Sequence, residues 1–81
     1  MSSAEPIRDL GEQPLTEMMK ARDLLPKDLV EASSEQITHK MVSRAMKGRR
    51  LTARTMNKVM RAWNRAAEAD DGIERLFNYT P

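Results

Sequence analysis

The sequence predicts an all-α fold, a compact bundle of four to five helices, and three observations lead there. Apolar residues recur at the i, i+3, i+4, i+7 spacing of a helix face in successive segments. Prolines and hydroxyl residues stand where such segments begin, at Pro14, Pro26, Thr38 and Thr52, while Gly48 and Asp70-Asp71-Gly72 stand where they end. No alternating β-branched run is present, and no Asn-Gly or Asp-Gly turn joins two apolar stretches.

Residues 1–13 are polar, contain Pro6 and Gly11, and keep no period, so they are expected to form a flexible arm. Pro14 suits a first helical turn, and Leu15, Met18, Met19 and Arg22 share one face, which predicts a helix over 14–24. Pro26 forbids its continuation and opens a short second helix over 26–33, with Leu25, Leu29 and Ala32 or Ser33 expected on its inner side. Ser33-Ser34-Glu35-Gln36 reads as a turn. Thr38 can accept a bond from a free amide of a third helix, 39–47, which Gly48 ends. Thr52 does the same for a fourth, 53–68, and Ile73, Leu76 and Phe77 predict a last short turn before Pro81.

Eighty-one residues make one small domain, which buries only about 60–65% of the surface its unfolded chain exposes. No cysteine is present, which removes disulfides and thiolate metal sites and fits a cytoplasmic protein. His39 is the one histidine and cannot build a zinc site alone, so neither metal nor cofactor is expected. The N-terminus lacks a basic-then-apolar signal pattern, no apolar run approaches the length of a membrane span, and no membrane association is expected. With few aromatics, the core must come from Trp63 and from Met, Leu, Val and Ile, with Met18, Met19, Met56 and Met60 as adaptable packing.

Charge is strongly segregated. Gln36 to Ala67 contains no acidic residue and nine cations: Lys40, Arg44, Lys47, Arg49, Arg50, Arg54, Lys58, Arg61 and Arg65. Eight acids precede this stretch and four follow it, so the formal net charge of +2 conceals a cationic middle between two acidic flanks. Soluble surfaces ordinarily mix both signs, and a concentrated cationic segment is the footprint of a protein that sits on a polyanion such as nucleic acid. On the third helix, Val42, Ala45 and Met46 gather on one side, with Lys40, Ser43, Arg44 and Lys47 opposite and His39 on the flank. On the fourth, Met56, Val59, Met60, Trp63 and Ala67 oppose Arg54, Lys58, Arg61 and Arg65. Such a row of like charges costs a few tenths of a kcal/mol, roughly, per i,i+4 pair, and the segment itself holds no carboxylate to offset it.

Met41-Val42-Ser43-Arg44-Ala45-Met46-Lys47-Gly48-Arg49-Arg50-Leu51-Thr52 resembles the recognition-helix ending of the Cro and phage-repressor (XRE-like) helix-turn-helix family, an apolar-Ser-Arg unit followed by glycine and basic residues. Leu25-Pro26-Lys27-Asp28-Leu29-Val30 is similar to the positioning helix, Ala21-Arg22-Asp23-Leu24 to the end of the helix before it, and Thr55-Met56 with Val59, Met60 and Trp63 to the helix that closes the core. The resemblance covers about half of the chain. It departs in a turn between the second and third helices about two residues longer than usual, in Ser33-Ser34 where Leu-Gly or Ala-Gly is usual, and in Leu25-Pro26 where a polar residue opens the second helix.

The resemblance implies a lambda-repressor-like DNA-binding domain over 14–69, with an arm at 1–13 and a C-terminal helix or tail at 70–81. It implies a sequence-specific transcriptional regulator that places helix 39–47 in the major groove of double-stranded DNA. Thr38, His39, Lys40, Ser43 and Arg44 become candidate groove residues, and Lys47, Arg49, Arg50 and Arg54 candidate contacts to the DNA backbone. One helix covers few base pairs, so a homodimer on a palindromic site is expected. The segment Ile73–Tyr79 could supply its contact or simply close the monomer core. The contrasting reading is a non-enzymatic interaction module whose basic helix 53–68 binds an acidic protein or RNA. A further protein partner, such as a toxin or co-regulator, is left open. No nucleophile–base pair or phosphate-cradling glycine loop points to an enzyme.

Overall fold

Five helices, α1 (Pro14–Ala21), α2 (Pro26–Ala32), α3 (His39–Lys47), α4 (Ala53–Ala67) and α5 (Ile73–Leu76), follow one another within residues 10–80, which the computed structural model describes. None of the described residues forms a strand. The starts follow the sequence logic. Pro14 and Pro26 occupy first-turn positions that need no amide donor. Thr38 Oγ1 accepts from Met41 N at 3.1 Å and Thr52 Oγ1 from Thr55 N at 3.2 Å. At α2 the Asp28 carboxylate reaches back to the Leu25 N–H at 2.7 Å, since leucine offers no acceptor of its own. Leu25, expected on the inner side of this helix, instead stands before its first turn in extended backbone and is 55% exposed.

Three helices end on one device. Asp23, Gly48 and Glu68 leave α1, α3 and α4 in the left-handed region, at φ 58°, 91° and 53°. The next amide then reaches back five residues: Leu24 N to Met19 O at 2.9 Å, Arg49 N to Arg44 O at 3.0 Å, Ala69 N to Asn64 O at 2.9 Å. α1 therefore stops at Ala21, short of the expected 24. The sequence signal for this stop is usually glycine, and here aspartate fills the position. α2 ends at Ala32 and α4 at Ala67, each one residue earlier than expected.

α4 is the central element, packing on α2, α3 and α5, while α1 packs on α3 and α5 and α2 on α3. Leu15, Met19, Leu29, Val42, Met56 and Val59 are wholly buried between them. Each such side chain contributes about 1.5–3 kcal/mol by leaving water. Met18 and Met60 lie at the margin of this core, half-buried. Leu76 and Phe77 are buried as well. The tail thus closes the monomer core, and the expectation that its apolar residues might pair subunits does not hold for these two.

Trp63 keeps its indole N–H satisfied by Asp71 Oδ2 at 2.9 Å, with the Arg22 guanidinium 5.6 Å from its ring centroid. Arg22 also donates to Ala67 O at 2.6 Å, which satisfies a carbonyl at the negative end of α4. The Asn64 amide holds both backbone groups of Asp71, at 2.8 and 3.0 Å, and so fixes the break before α5.

Of the expected arm, residues 1–9 lie outside the described residues, but 10–13 are part of the fold. Leu10 N donates to Gly48 O at 2.8 Å and Gln13 N to Met46 O at 2.9 Å. Gln13 is 1% exposed, and its amide accepts from Asn78 N at 2.8 Å and donates to Gly11 O at 2.9 Å. A buried amide with both ends satisfied ties the start of the chain, the end of α3 and the tail together. Polar composition alone concealed this.

The same junction dictates Gly48. A Cβ there would lie 1.9 Å from the Gly11 carbonyl oxygen, and the φ of 91° disfavours any side chain. Gly48→Ala is expected to destabilise the domain by about 2–4 kcal/mol, from left-handed strain plus overpacking, measured as the shift in urea midpoint at unchanged m-value.

Candidate nucleic-acid interface

α3 is clamped from within by buried Val42 and Ala45 and carries its cations outward. Lys40, Arg44 and Lys47 are exposed, and none of them forms an ion pair among the described residues. His39 is exposed in the first turn, and Thr38, also exposed, commits an oxygen lone pair to the Met41 amide. Ser43 departs from the expected pattern, because it is half-buried rather than set openly between the cations. α1 and the start of α2 close over that flank, leaving a cleft of about 500 Å³ lined by Thr16, Lys20, Pro26, Ser43, Met46 and Lys47. Lys20 of α1 enters the surface there, 23 residues before Ser43 in sequence, and the acidic Glu12 lines the same cleft.

Past α3, Arg49 and Arg54 are exposed. Arg50 is exposed too, but its guanidinium sits 5.2 Å from the Tyr79 ring centroid and donates to Thr80 O at 3.1 Å. The expectation that Arg50 stands ready for a phosphate is therefore qualified by this attachment to the tail.

The helix termini carry a second asymmetry. α1, α2 and α5 each hold an acid in the first turn, Glu17, Asp28 and Glu74, where the helix dipole favours negative charge. α3 and α4 hold none, and place His39, Lys40 and Arg54 there instead. The two cations at that end, Lys40 and Arg54, are disfavoured by roughly 0.3–1 kcal/mol each in isolation, and an anion lying across both helix starts would offset that cost.

The outer row of α4 is not the uncompensated stripe that its segment implied. Arg61 pairs with Glu35 through Nε–Oε2 at 2.5 Å and Nη2–Oε1 at 2.8 Å. Arg65 Nε donates to Ala32 O at 2.6 Å, at the carboxyl end of α2. The missing carboxylate comes from the α2–α3 link, 26 residues away in sequence. These two arginines therefore hold that link in place, and with it the entry into α3. Packing of α4 on α2 was the information needed to see this.

The hydrogen bonds from Arg61 hold the Glu35 carboxyl below the usual carboxylate range, against some opposing desolvation and with added help from the charges of Arg61 and Lys58. The native state thus binds fewer protons at this site than the unfolded chain. Its stabilisation is present above the ordinary carboxylate pKa and is lost as the pH falls through the depressed value. Glu35→Gln should flatten the fall of stability on acidification, read from denaturant midpoints between neutral and acid pH. A variant that keeps the full acid slope would show that the pair is energetically idle.

No helix among the described residues is long and apolar enough to cross a membrane, and no cluster of metal-ligating side chains occurs among them. Comparison with protein-family models, with curated proteins and with solved structures finds no match for this chain.

Proposed function

We propose that this protein is a sequence-specific, duplex-DNA-binding transcriptional regulator of the cytoplasm, repressor-like and of the Cro type, that lays α3 in the major groove. The observation that carries this reading is the outer face of α3. Lys40, Arg44 and Lys47 project into solvent without carboxylate partners among the described residues, while Val42 and Ala45 lock the helix beneath them. Arg44 and Lys40 match the donors that read guanine O6 and N7, His39 and Ser43 can bond base edges or backbone oxygens, and Thr38 opens the helix toward the strand. Lys47, Arg49 and Arg54 flank the groove as phosphate contacts. The absence of acids from the first turns of α3 and α4 supports the same partner. Recognition of a useful number of base pairs requires two copies, hence a homodimer on a two-fold site.

Engagement of Arg61 and Arg65 at the α2–α3 link favours this reading over one in which α4 binds an acidic protein or RNA. That face keeps Arg54 and Lys58 for a partner.

Selection from random duplex DNA should return a symmetric motif. Arg44→Ala should then lower affinity for that motif by about 1–3 kcal/mol and relax one base position, whereas Arg49→Ala should weaken all duplexes alike and flatten the salt dependence. Equal, sequence-independent losses from both variants would sink base reading by α3. Tight capture of an acidic polypeptide with no duplex binding would replace the proposal with the interaction module.

A further inference from the structure

Arg49 and Arg50 are adjacent and both exposed, yet the structure treats them differently. The Arg49 peptide is pinned on both sides: its N–H donates to Arg44 O at 3.0 Å, and its C=O accepts from Tyr79 Oη at 3.1 Å. The same phenol accepts from Leu51 N at 3.0 Å, so one hydroxyl satisfies two backbone groups of the loop between α3 and α4. No hydrogen bond or ion pair holds the Arg49 side chain among the described residues. Arg50 shows the reverse. Its guanidinium stacks on Tyr79 and is bonded to Thr80 O. Tyr79 is itself steadied by the edge of buried Phe77, with ring centroids 5.8 Å apart, and the neighbouring Asn78 amide is held by Gln13.

We infer that the C-terminal segment is a clasp for the phosphate-contacting loop, in which Tyr79 is a positioning residue, Arg50 is the latch and Arg49 alone of the pair grips the DNA backbone. This rests on the duplex-binding reading above and assigns its loop a division of labour. A fixed peptide beneath a free guanidinium is what an economical phosphate contact needs, because the backbone entropy is lost on folding and not again on binding. A guanidinium already occupied by a ring and a carbonyl would have to abandon both to reach a phosphate.

The test uses the full chain and a mixed-sequence DNA duplex, since a phosphate contact needs no particular sequence. Arg49→Ala should lower the slope of log K against log salt by about one contact, whereas Arg50→Ala should leave that slope unchanged. Tyr79→Phe keeps the ring and the stacking but loses both bonds of the hydroxyl. It should weaken duplex binding about three- to tenfold and make the Leu51 amide exchange faster with solvent. In the Arg49→Ala background, Tyr79→Phe should cost little more, because it acts through Arg49. A slope lowered equally by Arg49→Ala and Arg50→Ala overturns the division of labour. Wild-type affinity in Tyr79→Phe, or losses that simply add, overturns the positioning role while leaving duplex binding intact. A parent chain that binds no duplex at all overturns both this inference and the functional reading, and the Leu51 amide then reports only on the clasp as a fold element.

Discussion

The contact between two glycines organises the working end of the molecule. Asp23 and Glu68 show that a side chain does not bar a left-handed exit from a helix, but at Gly48 the Gly11 carbonyl occupies the space where a Cβ would be, so only glycine serves. Beside that contact, Leu10 donates to the Gly48 carbonyl, and Gln13 shares the Met46 carbonyl with the Thr16 hydroxyl, so the end of α3 is satisfied by the chain that leads into α1. Gln13 then extends the arrangement to Asn78, and Tyr79 to Arg49 and Leu51. The final turn of α3 is thus bordered by chain from both ends of the described sequence. Its outer face stays open because the bracing comes entirely from behind and from the side.

A domain with so many like charges in one stretch needs internal partners, and three kinds are used. One is a carboxylate, Glu35, whose fork meets the fork of Arg61. Another is the carbonyl end of a neighbouring helix: Arg65 serves α2 and, from outside the acid-free stretch, Arg22 serves α4. The third is an aromatic face, Tyr79 under Arg50. Two of these, Arg61 and Arg65, are cations that helix periodicity alone would place in a uniform solvent-facing row along α4. What remains outward, Lys40, Arg44, Lys47, Arg49, Arg54 and the half-buried Lys58, is a narrower set. It is centred on α3 and the loop after it rather than on the length of α4.

Local chemistry made most of the helices legible. Pro14, Pro26, Thr38, Thr52 and Gly48 act within four residues of their own position, so their meaning is contained in the sequence around them. The bounds of α3 follow from Thr38 and Gly48 alone. Where the backbone turned left-handed on Asp23 or Glu68, no such residue-type signal existed, and α1 was expected to run on. The longer-range features were illegible for a different reason. Glu35 with Arg61, Gln13 with Asn78 and Tyr79 with Arg49 join residues 26, 65 and 30 apart, and nothing in either partner's neighbourhood encodes the other. Ser43 illustrates the intermediate case: periodicity gave its angle on the helix correctly, but how far α1 closes over that angle is a property of packing.

The single tryptophan gives the protein a built-in optical gauge. Trp63 is sealed from water, with a guanidinium over its ring and a carboxylate on its indole nitrogen, so its emission should be blue-shifted and sensitive to the separation of α1, α4 and the α5 segment. Because the indole contacts none of the outward cations of α3, a ligand resting on that face would leave the signal nearly untouched, while melting of the bundle would change it. One fluorophore therefore separates loss of fold from occupancy of the basic surface, without a label.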